Sequence, residues 1–386
     1  MQIFKKKYKN NFKNYVFIFF AKYFFSCLSI VKDYGVSFDE ETSRLYGLMN
    51  GNYILEKFLS TEKYDEIFKG VTESKFSEKI SEKQPQKFAE FKDRVYGAVF
   101  ELPATAIEIL LNIKNTKDIY LFRHYMNFLF FFVSVIFFYK LLHKIFNNKI
   151  YGLIGSLILI TCPRIFAQSF YNSKDIIFLS LFIISNYYGY SIIVKNKISN
   201  IILFCLFSAC LVNLRVIGGI VPLTISLIII LKLNQKNKLN SLRKLILIPS
   251  LTSIFLYIIW PFLWDNPIDN FIYVIKYFSQ HPWSGDNFYF GEYIKASEVP
   301  WHYLPVWIVI TNPIYFLILF LIGFIFFFFN LKKNLKENKT IFILLTLIFY
   351  VFSPISIAIL LNSTLYDGWR HFFFITPFLI IFSILG

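Results

Sequence analysis

The run Asp175-Ile-Ile-Phe-Leu-Ser-Leu-Phe-Ile-Ile-Ser-Asn-Tyr-Tyr-Gly-Tyr-Ser-Ile-Ile-Val194 decides the fold. Past its first residue it carries no charge, and its length matches the ~20 residues that a helix needs to cross the hydrocarbon core of a bilayer. Runs of the same kind recur at about residues 14–31, 122–142, 150–166, 199–214, 216–232, 243–263, 304–329, 340–361 and 372–386. The expectation is an all-α, polytopic membrane protein with about ten transmembrane helices. Composition agrees: 56% of the 386 residues are hydrophobic, with 49 Phe against 13 Pro, so a domain count from length does not apply. Residues 1–386 read as a single transmembrane domain.

Basic residues in the short connections set the orientation. Lys5, Lys6, Lys7, Lys9 and Lys13 precede the first span. Every second connection after it is also basic: Lys140/Lys144/Lys149, Lys195/Lys197, Lys232/Lys236/Lys238/Arg243/Lys244 and Lys332/Lys333/Lys336/Lys339. These belong on the cytoplasmic face. Residues 33–121, 164–174, around 215, 264–303 and 362–371 then lie outside. In a soluble protein a net charge of +16 would suggest nucleic acid as a partner; here the excess sits beside anionic lipid head groups, and no nucleic acid is expected. The first span, about 17 apolar residues without a small-x-small cleavage site, reads as an uncleaved anchor. Cys27, Cys205 and Cys210 fall in spans and Cys162 near the outer face, so neither a disulfide framework nor metal-ligand spacing is present.

Two outer loops are long. The first, 33–121, opens with Ser37 and, three residues on, Glu40, the signature of a capping box on a helix over 37–50. Leu45, Leu48, Met49 and then Ile54, Leu55, Phe58, Leu59 form apolar stripes suited to helices lying in the interface. Residues 60–93 read as a solvated excursion, and 96–113, carrying Glu101, Pro103 and Glu108, as an interfacial or protein-buried segment. The second loop, 264–303, is rich in aromatics, Pro and Gly. It holds His281, Asp286, Glu292 and His302; its Trp264 and Trp301 also fit plain interfacial anchors.

Motifs that are absent narrow the chemistry. A Gly-rich phosphate loop, a Walker lysine and His-Glu-x-x-His are all missing, which disfavours nucleotide handling, ATP-driven transport and zinc proteolysis. What remains is a set of polar groups on one face. A carboxylate there can take the proton of an incoming hydroxyl, and Arg or Lys can hold a phosphate leaving group. Structural roles compete with these. Glu40 can serve only as the capping-box partner of Ser37, and Asp39 and Asp175 only as complements to helix dipoles, the latter behind a Ser173 cap. Arg164 and Lys174 can be snorkelling anchors, and Arg215, in a tight hairpin, needs an anion or a cluster of carbonyls.

Phe38-Asp39-Glu40, Pro163-Arg164 with Asn172-Ser-Lys174-Asp175, Asn213-Leu-Arg215, Pro300-Trp301-His302-Tyr303 and Trp369-Arg370-His371, in that order, resemble the bacterial branch of the C-type membrane glycosyltransferases. That branch is related to protein O-mannosyltransferases and lipid A aminoarabinose transferases. The resemblance runs from about residue 33 to the end. It implies transfer of a sugar from a polyprenyl-phosphate carrier to an acceptor hydroxyl, with inversion, at the periplasmic face of a bacterial inner membrane. Asp39 matches the base of the family's Asp-Glu pair and Glu40 its neighbour, giving Asp39 and Glu40 as catalytic residues. On chemical grounds Arg164, Lys174 and Arg370 are the donor-phosphate ligands, with Asp175, Arg215, His302 and His371 in support. A lipid-linked donor makes a nucleotide cofactor unnecessary; a divalent metal is left open, as is the acceptor, whether protein, lipid or glycan. The carboxyl end departs from the family, as a truncated product would: the last span has about 15 residues and no soluble domain follows. A transporter or flippase for a lipid-linked glycan is the rival reading, and a non-catalytic assembly subunit a third. Polar residues concentrated at one face, and sparse within the spans, favour the enzyme.

Overall fold

Helices make up 79% of the computed structural model, which describes residues 2–60, 88–195, 197–233, 238–279, 283 and 285–386. In chain order they are α1 Gln2–Ile30, α2 Phe38–Phe58, α3 Glu101–Leu110, α4 Thr116–Phe146, α5 Lys149–Ile160, α6 Pro163–Gln168, α7 Asp175–Val194, α8 Ile198–Leu214, α9 Ile220–Leu231, α10 Lys238–Ile259 and α11 Pro267–Ser279. A hairpin follows, then α12 Tyr303–Thr311, α13 Ile314–Asn334, α14 Asn338–Thr346, α15 Ser353–Leu360 and α16 Thr376–Leu385. Among the described residues six stretches are long and apolar enough to cross a membrane: Phe12–Asp33, Thr116–Phe146, Asp175–Val194, Lys238–Ile259, Ile314–Asn334 and Asn338–Leu360. Shorter apolar helices cover Lys149–Ile160, Ile198–Leu214, Val216–Leu231 and Arg370–Leu385. The chain is an all-α, multi-pass membrane protein.

The uncharged run of α7 is the hub, with 83% of its apolar window buried against 17% for α10 and α13. It packs on α4, α8 and α9 and on the 3-10 turn Arg370–Ile375. Lipid is as apolar as these side chains, so contact density rather than the hydrophobic effect holds such helices together. The crossing of α13 and α16 illustrates it: the ring of Phe382 meets Phe320, Phe324 and Phe327 at 6.0, 5.9 and 5.3 Å between centroids.

Prolines break two of the expected runs and distort a third. The run over 304–329 is divided, because Pro313 forces Asn312 to φ −104°, ψ 147°; α12 stops at Thr311, and α13 then continues to Asn334. The run over 150–166 ends at Ile160, and Pro163 opens the separate short helix α6. Between α14 and α15 the chain widens into a π-helical stretch, Leu347–Phe352, where Pro354 would otherwise clash with the carbonyl one turn back.

The first outer loop begins as expected. The Glu40 carboxylate accepts from the Ser37 backbone N–H at 2.6 Å in the capping box that starts α2. That helix reaches Phe58, further than the 37–50 expected. Most of the excursion at 60–93, together with His281, lies outside the described residues. The segment 96–113 contains α3, whose Glu101 and Glu108 are buried in protein. The second outer loop is not purely helical: Asp286–Tyr289 (β1) pairs antiparallel with Glu292–Lys295 (β2), Tyr289 opposite Glu292. The turn uses positive φ at both central residues, Phe290 (50°) and Gly291 (90°), as a tight hairpin requires.

Candidate active site

The start of α2, helix α6, the α6–α7 connection and the turn before Arg370 converge on a cavity of about 210 Å³. Asp39, Glu40, Arg164, Lys174, Asp367 and Arg370 line it. Five of the sequence-chosen residues are therefore brought together. Local chemistry fixes the α6–α7 corner. The side-chain oxygen of Asn172 accepts from the backbone N–H groups of Lys174 (3.2 Å) and Asp175 (2.8 Å), and its amide donates to Asp175 Oδ2 at 3.0 Å. Asn172 thus does the capping expected of Ser173, whose hydroxyl instead donates to Glu101 Oε1.

Arg370 is the centre of charge. Its Nη1 lies 2.7 Å from Asp39 Oδ2, its Nη2 3.3 Å from Asp367 Oδ2, and its Nε 3.7 Å from Asp175 Oδ2. Asp175 is buried and pairs in turn with Arg215, the anion that the tight hairpin at Arg215 called for. Arg164 and Lys174 differ from Arg370, since neither forms an ion pair among the described residues. Arg164 donates through Nη2 to the Asp367 carbonyl at 3.3 Å and lies over the Trp307 ring at 5.2 Å, while its buried Nη1 has no hydrogen-bond partner. Lys174 Nζ donates to the Tyr46 hydroxyl at 3.3 Å and sits over the rings of Tyr46 and Tyr96 at 4.6 and 4.8 Å. Burial pulls its pKa below the usual lysine range, with Asp39 and Asp175 opposing. Gly368 is at φ +70°, and the room left by its missing Cβ is occupied by the Arg164 guanidinium.

A second layer of charge lies behind the cavity. Glu40 Oε2 is 2.8 Å from His124 Nε2, both side chains buried. Glu101 pairs with Arg123; Glu108 takes Arg44 Nε at 3.1 Å and Arg123 Nη2 at 3.3 Å. Gly47 lets α2 approach α3 here, since a Cβ would collide with the Glu101 carbonyl and the Thr105 hydroxyl. His124, Arg123, Arg44, Glu101 and Glu108 were not among the residues chosen from sequence. The available signal was Arg123-His124 at the polar end of an otherwise apolar span.

None of the four supporting residues lines the cavity; Asp175 and Arg215 lie behind Arg370. His302 does not line the cavity; its Nδ1 is 2.7 Å from the Tyr289 hydroxyl, tying the hairpin down. His371 is not in the lining either, and its ring meets Tyr366 edge-on at 4.6 Å. The neighbour of His302 does more for the site. The Tyr303 hydroxyl accepts from the Gly368 N–H at 3.0 Å and donates to Asn287 Oδ1 at 3.1 Å, joining the Arg370 turn to the hairpin.

Among the described residues no group of three or more His, Cys, Asp or Glu side chains is arranged to hold a metal ion. No protein-family model, curated protein or solved structure matches the chain. Fold and site together define a multi-pass helical membrane protein with a charged cavity at one end of its bundle.

Proposed function

We propose that the protein is a glycosyltransferase that moves a sugar from a polyprenyl-phosphate carrier to an acceptor hydroxyl, with inversion. The supporting observation is that a partly exposed carboxylate, Asp39, shares one cavity wall with two cations, Arg164 and Lys174, that form no ion pair among the described residues. In this reading the acceptor oxygen bonds to the anomeric carbon as its proton passes to Asp39. The bond from that carbon to the phosphate oxygen breaks, and its electron pair leaves with the carrier phosphate. Arg164 and Lys174 meet the growing phosphate charge. Arg370, already matched by carboxylates, holds Asp39 in place and adds to the positive field. Glu40, bonded to Ser37 and His124, fixes the first turn of α2 and so the position of Asp39.

We read the four shorter apolar helices as further spans, which makes ten. The site then faces the periplasm of a bacterial inner membrane, with the lysine-rich connections on the other side. The test is purified protein in vesicles with a panel of polyprenyl-phosphate sugars, measuring free carrier phosphate. Release that depends on an acceptor supports the enzyme. Movement of intact lipid-linked sugar across the vesicle without release would replace it with the flippase reading.

A further inference from the structure

At the end of the bundle remote from Asp39 lies a larger cavity, about 650 Å³, between the last turns of α7 and α9, the α13–α14 connection and the first turns of α10 and α14. Its described lining holds three lysines, Lys232, Lys244 and Lys336, and no carboxylate. None of the three forms an ion pair among the described residues; the nearby Glu337 is exposed and does not line the cavity. Lys232 and Lys244 are partly buried, so their charge is incompletely hydrated. Lys244 Nζ donates to the Ile192 carbonyl at 3.4 Å, which uses one of the ammonium's three donors. A cation offsetting helix C-terminal carbonyls would account for Lys232, just past the end of α9, and for the one bond of Lys244 to the last turn of α7, but not for the other two donors of Lys244.

The other polar groups suit an anion as well. Asn240 and Ser241 are in the first turn of α10 and Asn338 begins α14, so two helix N-termini open on the same space. The rest of the wall is apolar, mainly isoleucines of α7, α9 and α14. Charge above hydrocarbon is the profile of a phospholipid, whereas a free phosphate has no use for the apolar wall.

We infer that this cavity binds the phosphate of an anionic phospholipid, with Lys232, Lys244 and Lys336 as its ligands and the isoleucine wall holding the upper acyl chain. Basic pockets between transmembrane helices take anionic head groups in this way. The site is separate from the Asp39 cavity and independent of what that cavity does.

Native mass spectrometry of the full-length protein in detergent tests it, with phosphatidylglycerol, phosphatidylcholine and inorganic phosphate as three separate probes. Phosphatidylglycerol is expected to bind at least about tenfold tighter than phosphatidylcholine, and K232Q/K244Q/K336Q to lose that preference. The charge-preserving K232R/K244R/K336R variant is expected to keep it. Should the Gln variant not fold, K336Q alone, at an exposed position, is expected to weaken phosphatidylglycerol binding measurably. Equal binding of the two lipids by the parental protein would overturn the inference. So would a preference untouched by the Gln variants, or inorganic phosphate displacing the lipid at equal concentration.

Discussion

Arg370 Nη1 lies 2.7 Å from Asp39 Oδ2, closing a contact across 331 residues of chain. The pair joins the first turn of α2 to the turn before the last helix. Any ligand entering the cavity therefore meets a carboxylate already oriented by a guanidinium, itself shared with Asp367 and close to Asp175.

Asp39→Asn keeps the size of the side chain and its contact with Arg370 but cannot take the acceptor's proton. Transfer is expected to fall ~100-fold or more with donor binding retained. Glu40→Gln is the paired control: Gln still completes the capping box with Ser37, so a positioning Glu40 tolerates the change far better than Asp39 does. Parental transfer rates in Asp39→Asn would remove it as the base.

Replacing Arg164 or Lys174 by Gln removes a cation that has no carboxylate partner among the described residues. Each is expected to lose a charge-assisted contact worth ~1.5–3 kcal/mol, about tenfold or more in turnover, with an unchanged Tm. Arg370→Gln differs, because it strands carboxylates. There the activity loss is expected to come with a lower Tm, read by thermal unfolding in detergent.

The part-buried Lys174 ammonium gives the site an alkaline limit. Its pKa is depressed, so the charge is present at low pH and lost, as pH rises, earlier than for a free lysine. Donor affinity is expected to be flat below that titration and to fall above it. Lys174→Arg should abolish the fall; an identical pH profile in the two proteins would show that Lys174 does not bind the donor.

Glu108 is the carboxylate shared by Arg44 and Arg123, all three buried. Removing one member of such a network is costly, so Glu108→Leu is expected to destabilise by about 3–5 kcal/mol. Thermal unfolding is the measurement, and a change under about 1 kcal/mol would mean the pairing is solvated.

Tyr303→Phe deletes the hydroxyl between Gly368 and Asn287. The cost expected from leaving a buried Gly368 N–H unsatisfied is about 1–3 kcal/mol. Because the Arg370 turn is loosened and no ligand contact is lost, the drop in transfer is expected to be by the same factor across the assay pH range. A drop confined to one limb of the pH profile would point instead to a titrating role for Tyr303.

Local composition alone located the apolar helices, since in lipid a backbone must satisfy its own hydrogen bonds and an uncharged run of sufficient length has few alternatives to helix. The capping box at Ser37 and Glu40 was legible for the same reason: it is a contact between residues three apart. Five charged candidates also reached one cavity, because polar groups excluded from hydrocarbon collect at the ends of spans. What only the tertiary structure decided was the pairing: Asp39 with Arg370, Glu40 with His124 across 84 residues, Arg215 with Asp175, and the removal of His302 to the hairpin. Such partners depend on how helices rotate and cross, and helices that are apolar all round, such as α7, carry no amphipathic stripe from which that rotation can be read.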